Sequence, residues 1–205
     1  MAMQITIFSR NSMGQNIYLL ACKTTAEAVI IDAGCSKDDV AALMRDIEGL
    51  SIKAILLTHG HFDHITAAKE IQLLTGATIY CHASELELLA NPKYNMSCLT
   101  RHEINLAPCH TFEDGDEYTF GKCTLKVLHT PGHTPGSVCY YHKASGNLFS
   151  GDTLFRGNVG RTDLPLSDEQ KLKRNIKSKL FTLDAETRVF PGHGRATTIG
   201  AELKK

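Results

Sequence analysis

The sequence has 205 residues, of which 42% are hydrophobic and 21% are charged, a composition typical of a globular chain that can bury a sizeable core. Lysine plus arginine and aspartate plus glutamate each number 22, so no net positive field is present to attract nucleic acid or an anionic membrane surface. We therefore expect a single domain over residues 1–205, with no nucleic-acid partner and no membrane partner.

The amino-terminal stretch "MAMQITIFSR" contains no charged segment followed by an apolar core, and no apolar run is long enough to span a bilayer. The seven cysteines include no Cys-x-x-Cys pair, which favours reduced thiols and a cytoplasmic location. Cys98, His102, Cys109 and His110 lie close together in the sequence, but their spacing fits no familiar zinc finger. The role of this segment stays open.

Short β-branched runs alternate with amphipathic stretches along the chain, which predicts an α/β fold. The predicted strands cover 4–8, 16–21, 28–32, 53–59, 77–80, parts of 114–130, 136–142, 146–152 and 187–190. The predicted helices run from 37 to Gly49, from 64 to Gly76, over 83–90, over about 167–180 and beyond the stretch "GHGRATT" near the end. Residues 94–110 break the pattern and predict an irregular segment. Two blocks of strands, each followed by helices, predict two sheets packed face to face with helices outside.

The stretch "THGHFDH" at residues 58–64 places three histidines and an aspartate directly after an apolar strand. Its side chains leave a loop at the carboxyl end of the strand, where α/β proteins usually place their chemistry. A tight bend at Gly60 lets His59 and His61 converge on one point, whereas Asp63 and His64, at a helix start, can reach a second ion. One loop therefore predicts ligands for two metal ions.

Three further stretches end apolar strands with ligand-type residues beside glycine: "LHTPGHTPGS", "LFSGDTLF" and "VFPGHG". If one carboxylate bridges the two ions, the ligands fall into two sets of three with Asp152 shared by both ions. The predicted ligands are His59, His61 and His133 for the first ion and Asp63, His64 and His193 for the second. Nitrogen and oxygen ligands without thiolate suit zinc, iron or manganese, and we expect two divalent ions, zinc foremost. The alternative interpretation is a set of hydrogen-bonding groups in unrelated loops.

The other histidines carry weaker signals. His129 lies four residues before His133 and is interpreted as a packed residue or an outer partner of the site rather than a ligand. The remaining four, His82, His102, His110 and His142, are interpreted as ordinary polar positions.

The segments "THGHFDH", "HTPGHTPGS", "GDTLF" and "PGHG" together resemble the metallo-β-lactamase superfamily over nearly the whole chain. The resemblance implies a four-layer αββα sandwich with a binuclear site at the loop edges of its two sheets, and it implies the same seven ligands. Within the superfamily, "LFSGDTLFRGNVGRTDLP" and "PGHGRATTIGAE" resemble the short type II glyoxalase-like hydrolases. Type II glyoxalase hydrolyses S-lactoylglutathione, a thioester.

This resemblance implies hydrolysis of a small thioester by a hydroxide that bridges two ions, with no serine or cysteine nucleophile. Asp63 is the expected catalytic residue, because it lies beside the bridging position and can orient the hydroxide. In the glyoxalase pattern a lysine and a tyrosine bind the glycine end of glutathione, and these positions align with Arg161 and Asp163. Arg161 can still clamp a substrate carboxylate. Asp163 cannot replace an aromatic ring, and an ion pair between Asp163 and Arg161 is the alternative.

Other activities of the same superfamily remain open. Persulfide dioxygenases also carry a Gly-Arg-Thr-Asp run like that at 160–163, but use a single iron held by residues matching His59, His133 and Asp152. Lactone or phosphodiester hydrolysis is a further alternative. An RNA-processing nuclease would need a basic surface, a β-lactamase would be expected to carry an export signal, and a protein that bound metals without catalysis would turn over no ester or thioester.

Overall fold

The computed structural model describes residues 3–9, 14–107 and 110–204. Over these residues the strands are β1 Met3–Phe8, β2 Ile17–Cys22, β3 Glu27–Ile31, β4 Ser51–Leu56, β5 Thr78–His82, β6 His110–Phe112, β7 Glu117–Phe120, β8 Cys123–His129, β9 Val138–His142, β10 Asn147–Gly151, β11 Leu154–Phe155, β12 Asn158–Val159, β13 Arg188–Pro191 and β14 Thr197–Thr198. The α-helices are α1 Lys37–Asp46, α2 Phe62–Ile65, α3 Ala68–Thr75, α4 Leu86–Ala90, α5 Glu169–Asn175 and α6 Ile199–Glu202. Within this part of the chain, no helix combines the length and apolar character needed to cross a bilayer.

Two six-stranded sheets form the centre of the molecule, in the orders β1-β2-β3-β4-β5-β6 and β14-β13-β10-β9-β8-β7. The strands from β3 to β6 are parallel neighbours, so their carboxyl ends lie at one edge of the first sheet. In the second sheet β10 and β13 are the parallel pair. The loops after β3, β4, β10 and β13 therefore leave from the carboxyl edges of parallel strands.

Three apolar layers show how the sheets and helices stack. Successive residues of a strand point to opposite faces of a sheet, and in β2 Leu19 faces the core shared with α1 and α3, whereas Leu20 faces the second sheet. A third layer packs α5 and α6 on the outer face of the second sheet, with Leu172 and Ile199 in contact with Leu148 and its neighbours. The predicted α/β fold, with two facing sheets and helices outside, is confirmed.

The predicted helix over 64–76 is divided into α2 and α3. The main-chain N–H of Ala67 donates to the carbonyl of Ala33 at 2.8 Å, and the N–H of Ala33 donates to the carbonyl of His64 at 2.7 Å. These bonds to the loop after β3 replace the regular helical pattern at Ala67, where φ is −103° and ψ is 1°. A long-range contact, which apolar periodicity does not report, therefore breaks the helix and fixes α2 beside the first sheet.

Other boundaries also differ. Strand β6 was not predicted, and it begins at the end of the segment that was expected to be irregular. Its three residues pair in parallel with β5, so its partner decides its conformation. The predicted helix over 167–180 begins at Glu169, with Asp168 as the N-cap, and changes to a π-helical turn over Ile176–Leu180.

Candidate metal centre

The seven ligand-type residues leave four loops and meet at one point between the sheets. His59 to His64 follow β4, His133 follows β8, Asp152 follows β10 and His193 follows β13. The two sheets are joined at this edge, because the Tyr140 hydroxyl donates to the carbonyl of Leu57 at 2.8 Å. The structure therefore brings together side chains that are up to 134 positions apart (193 − 59) in the sequence.

His59, His61 and His133 form the first group. Their ring centroids lie 4.6 to 4.9 Å apart, and Nδ1 of His61 lies 2.9 Å from Nε2 of His133. All three side chains are buried, and Nε2 of His59 has no hydrogen-bond partner among the residues that the structure describes. A buried nitrogen without a partner costs free energy unless something else binds it. A metal ion would satisfy it.

Asp63, His64 and His193 form the second group. Nε2 of His193 lies 3.1 Å from Oδ2 of Asp63 and 3.3 Å from Nε2 of His64. Nε2 of His64 lies 3.8 Å from the same Asp63 oxygen. Asp63 and His193 are partly exposed, at 13% and 28% of their side chains, so this group faces the open side of the site.

Asp152 lies between the two groups. Its Oδ1 lies 3.4 Å from Nε2 of His64, and its Oδ2 lies 3.6 Å from Nε2 of His193 and 3.8 Å from Nε2 of His133. Oδ1 is buried, and within the described part of the chain it has no partner in hydrogen-bond geometry, His64 included. The carboxylate therefore faces histidines of both groups, which is the position that a bridging ligand requires.

The donor set and its spacing fit divalent ions. Two ligand atoms that lie about 2.1 Å from one tetrahedral ion are about 3.4 Å from each other. The nitrogen and oxygen pairs within the cluster are 2.9 to 3.8 Å apart, and each of three overlapping triplets has its ligand atoms within 4.8 Å of one another. Imidazole and carboxylate without thiolate suit zinc, iron or manganese. His59, His61 and His133 could hold one ion, and Asp63, His64 and His193 a second.

Outer contacts orient these side chains. Nδ1 of His64 lies 2.8 Å from Oδ2 of Asp32, and Asp32 also accepts hydrogen bonds from the main-chain N–H and the hydroxyl of Thr58. The Thr58 hydroxyl lies 3.1 Å from Nδ1 of His59. Nδ1 of His133 lies 2.9 Å from the carbonyl oxygen of Arg161. In each case the second ring nitrogen is left to face the centre, as in metal sites whose histidines are oriented by outer partners.

Close packing explains a glycine beside the last histidine. A Cβ atom at Gly192 would lie 2.2 Å from Oδ1 of Asp152 and 2.7 Å from Cε1 of His64. The loop is also fixed from the first sheet, because the Asn16 N–H donates to the Gly192 carbonyl at 2.7 Å. Glycine is required here because the main chain passes against two of the candidate ligands.

The two groups differ in protonation. Burial lowers the pKa of His59, His61 and His133, that of His61 to about 3, so these imidazoles are neutral at neutral pH. Burial also disfavours the charged form of His64, but the carboxylates of Asp152 and Asp32 outweigh it and raise the pKa of His64 well above its ordinary value.

The carboxylates respond in the opposite sense. Burial favours the neutral forms of Asp63 and Asp152, but the neighbouring His64 outweighs it and lowers both pKa values. Burial likewise opposes the charge of His193, while its hydrogen bond to Asp63 raises the pKa of that imidazole. At neutral pH the carboxylate of Asp63 is therefore anionic beside a protonated His64, and a cation that binds there would displace that proton.

The structure also shows where the other residues singled out in the sequence lie. Arg161 is exposed and pairs with Asp163 through two contacts of 2.7 Å, which is the ion pair given above as the alternative. His129 stacks on His82 at 3.6 Å between ring centroids and lies 2.9 Å from the Pro135 carbonyl, consistent with a packed residue. In the Cys98 to His110 segment, Cys98, His102 and His110 are exposed, and Cys109 lies outside the described residues.

Two residues that support the site were missed by the sequence analysis: Asp32 and Glu85. Asp32 directly follows β3, an apolar strand, just as the predicted ligands follow theirs. The same signal, an acidic residue at the carboxyl end of a buried strand, could have found it. Glu85 lies in a short 3-10 turn after β5, and nothing in its local sequence distinguishes it from Glu87.

Comparisons with known proteins agree with this geometry. A family model described as the metallo-β-lactamase superfamily matches residues 11–193. Over 178 residues the chain is 39% identical to the probable metallo-hydrolase YqgX of Bacillus subtilis (86% of this chain, 84% of that protein). It is 31% identical over 205 residues to the hydroxyacylglutathione hydrolase GloC of Haemophilus influenzae (98% and 96%).

Two solved structures extend the similarity to the fold. The BLEG-1 B3 metallo-β-lactamase is 38% identical with a TM-score of 0.90, and the match covers 98% of this chain and 97% of that one. TTHA1623, solved in a di-iron-bound form, is 37% identical with a TM-score of 0.84 and 97% of each chain covered. On the family match, the relatives and the fold, this chain belongs to the metallo-β-lactamase superfamily.

Proposed function

We propose that the protein is a metal-dependent hydrolase that binds two divalent ions, zinc foremost, and cleaves a small thioester of the S-lactoylglutathione type. The observation that carries this proposal is the position of Asp152, whose two carboxylate oxygens face histidines of both groups. A carboxylate shared in this way suits two adjacent ions. The similarity to TTHA1623 supports the binuclear centre, and the similarity to GloC supports the substrate class.

When bound, two adjacent divalent ions would supply a water of lowered pKa and positive charge for a developing oxyanion. The chain provides the rest. Buried His59 and His61 offer neutral imidazoles at fixed positions, which need no rearrangement during the reaction. Asp63, on the open side, can accept a hydrogen bond from the attacking water and so orient it toward the thioester carbonyl. A thiolate leaving group needs no proton donor, which agrees with a site built from these seven side chains.

Arg161 is the proposed contact for a carboxylate of the substrate. Its main-chain carbonyl is hydrogen-bonded to His133, so its side chain begins beside the first group and extends into solvent. Its guanidinium can bind a carboxylate through two parallel hydrogen bonds. The Asp163 carboxylate already accepts hydrogen bonds from this guanidinium, so an anionic substrate would compete with Asp163 for Arg161.

Metal quantitation and a substrate panel test the proposal together. Protein purified without added metal is analysed for bound zinc, iron and manganese and is then assayed on S-lactoylglutathione and on other thioesters. We expect two ions per chain and hydrolysis without oxygen. A His59→Ala variant should lose activity, whereas His102→Ala, which changes an exposed histidine, should keep it. Full activity in His59→Ala would contradict the proposed centre.

The same panel distinguishes the other activities of the superfamily. One iron per chain, with oxygen uptake on glutathione persulfide, would indicate the dioxygenase instead. Turnover of a lactone, a phosphodiester or a β-lactam without thioester cleavage would replace the substrate class but keep the metal centre. Bound metal without turnover on any of these compounds would indicate a binding protein.

A further inference from the structure

Glu85 is a fully buried carboxylate outside the seven-residue cluster. It ends the 3-10 turn Ala83–Glu85, which leads directly into α4. Its Oε1 accepts a hydrogen bond from the main-chain N–H of Gly60 at 2.8 Å. Its Oε2 accepts one from the N–H of Gly136 at 2.6 Å and one from the Thr134 hydroxyl at 3.0 Å. A buried charge of this kind is tolerated only when hydrogen bonds satisfy it.

The three donors belong to two different loops. Gly60 lies between His59 and His61, whereas Thr134 directly follows His133. One carboxylate therefore joins the two loops that carry the whole first group, across sequence separations of 25, 49 and 51 residues. None of the three bonds goes to the second group.

The surrounding packing is specific to this contact. A Cβ atom at Gly136 would lie 2.6 Å from the Cβ, main-chain nitrogen and Oε2 of Glu85, so the loop can approach the carboxylate only because residue 136 is glycine. Within the loop, the Ser137 hydroxyl accepts from the N–H of Thr134 at 3.0 Å and lies 2.7 Å from its hydroxyl. The Thr134 hydroxyl is thus held in place to meet Glu85.

We propose that Glu85 is a positioning residue that holds His61 and His133 at the spacing required by the first ion. This inference rests on the proposed function, since it presumes that the first group binds metal. Its three hydrogen bonds go to Gly60, Thr134 and Gly136 and not to a candidate ligand, so the carboxylate acts through the two loops. Without it, buried N–H groups of Gly60 and Gly136 lose their acceptor, and the loops separate or rotate to satisfy them.

Zinc affinity in two backgrounds tests the proposal. The His193→Ala background keeps only the first group intact, and the His61→Ala background keeps only the second. Burial raises the pKa of Glu85 to about 7 against the opposing hydrogen bonds, so the titrations are done at mildly alkaline pH, where the carboxylate is ionised. Glu85→Gln retains the shape but offers one acceptor oxygen, and its amide N–H₂ would face a donor. Glu87→Gln, an exposed neighbour, is the matched control.

We expect Glu85→Gln to weaken zinc binding about 10- to 100-fold in the His193→Ala background and to leave the His61→Ala background unchanged, as outer partners of metal ligands typically do. A second readout needs no metal: amide hydrogen exchange at Gly60 and Gly136 should be faster in metal-free Glu85→Gln than in the wild type or Glu87→Gln. If Glu85→Gln fails to fold, Thr134→Val, which removes one of the three donors, should show the same selective loss to a smaller extent.

Equal weakening in both backgrounds, or none, would overturn the positioning role and leave the proposed function standing. Unchanged exchange at Gly60 and Gly136 would also overturn it. The failure of the proposed function has a different signature: the wild-type protein itself would bind no zinc in either group.

Discussion

His64 and Asp32 are joined by a buried contact of 2.8 Å between Nδ1 and Oδ2. Asp32 receives two further hydrogen bonds, both from Thr58, so its carboxylate is fixed by the loop that follows β4, the strand next to its own. Because Nδ1 of His64 is occupied in this way, Nε2 is the nitrogen that faces Asp63, Asp152 and His193. The orientation of the second group therefore depends on a residue outside the cluster.

Replacing Asp32 by asparagine should weaken the second ion selectively. The amide has the same shape but places an N–H₂ group against either His64 or Thr58, so His64 loses its fixed orientation. We expect about 10- to 100-fold weaker binding of the second ion, measured by competition with a chromophoric chelator. Asp46→Asn, an exposed carboxylate on α1, is the control. Equal affinities in Asp32→Asn and the wild type would show that the contact does not orient the imidazole.

Two glycines of the same loop should respond differently to alanine. Gly192→Ala inserts a methyl group 2.2 Å from Oδ1 of Asp152 and should displace the shared carboxylate, with loss of bound metal after desalting. Gly194→Ala meets nothing within 4 Å, but its φ is +76°, so it should cost about 1 kcal/mol of unfolding free energy and keep its metal. Retention of both ions by Gly192→Ala would argue against Asp152 as the shared ligand.

Removal of metal should lower the melting temperature. An ion present at about 100 times its dissociation constant stabilises the folded state by about 2.7 kcal/mol. For a chain of this size, each bound ion should then raise the midpoint of thermal unfolding by roughly 5 to 10 °C. Treatment with a chelator should abolish this rise in melting temperature, and added zinc should restore it. The melting temperature of an Asp152→Ala variant should change much less on treatment with the chelator. A wild-type melting temperature that the chelator leaves unchanged would contradict metal binding.

Metal uptake should release protons near neutral pH, mainly from the second group. The pKa of His64 is raised well above its ordinary value, so a cation must displace its proton, and the raised pKa of His193 extends the pH range over which that imidazole also has a proton to lose. The pKa values of the first-group histidines are lowered, so those imidazoles are already neutral. Affinity for the second ion should fall as pH falls, and proton release should fade as pH rises above the raised pKa values.

Calorimetric titrations in buffers of different ionisation enthalpy measure this release. We expect roughly one to two protons for the second ion and fewer for the first. The His193→Ala variant, in which the first group remains complete, serves as the comparison. Equal proton release by both groups would contradict the difference in protonation.

Asp163→Asn should improve binding of a substrate that carries a carboxylate. The change frees the Arg161 guanidinium from its exposed ion pair. We expect KM to fall about twofold to fivefold, which corresponds to the usual free energy of an exposed ion pair. A thioester without a carboxylate should show no change, and Arg161→Ala should raise KM for the anionic substrate alone. If Arg161→Ala affected both substrates equally, the guanidinium would not be the carboxylate contact.

Much of the fold and the candidate cluster could be predicted because their signals are local. The alternation of apolar strands and amphipathic helices is visible within windows of a few residues. Ligand-type residues beside glycine at strand ends are equally local, and the structure brings together all seven residues found in this way. Their role as metal ligands stays a prediction.

Several of the unpredicted features depend on contacts that are distant in sequence. Helix α3 begins late because Ala67 bonds to Ala33, and β6 exists because β5 lies beside it. Asp32 and Glu85 act on residues 25 to 51 positions away. A periodic pattern of apolar residues carries no information about which distant residues meet, because the order of strands in a sheet decides which residues lie close together in space.

The sequence by itself determined most of the strands and helices, their order, and which side chains with metal-binding chemistry stand at their ends, since residue type and periodicity act over a few neighbouring positions. Only the tertiary structure decided that Asp152 lies between two histidine groups, that Arg161 is engaged by Asp163, and that Asp32 and Glu85 support one group each. The physical reason is that parallel strands bring their carboxyl ends to one edge, and the pairing of the strands fixes which loops meet there.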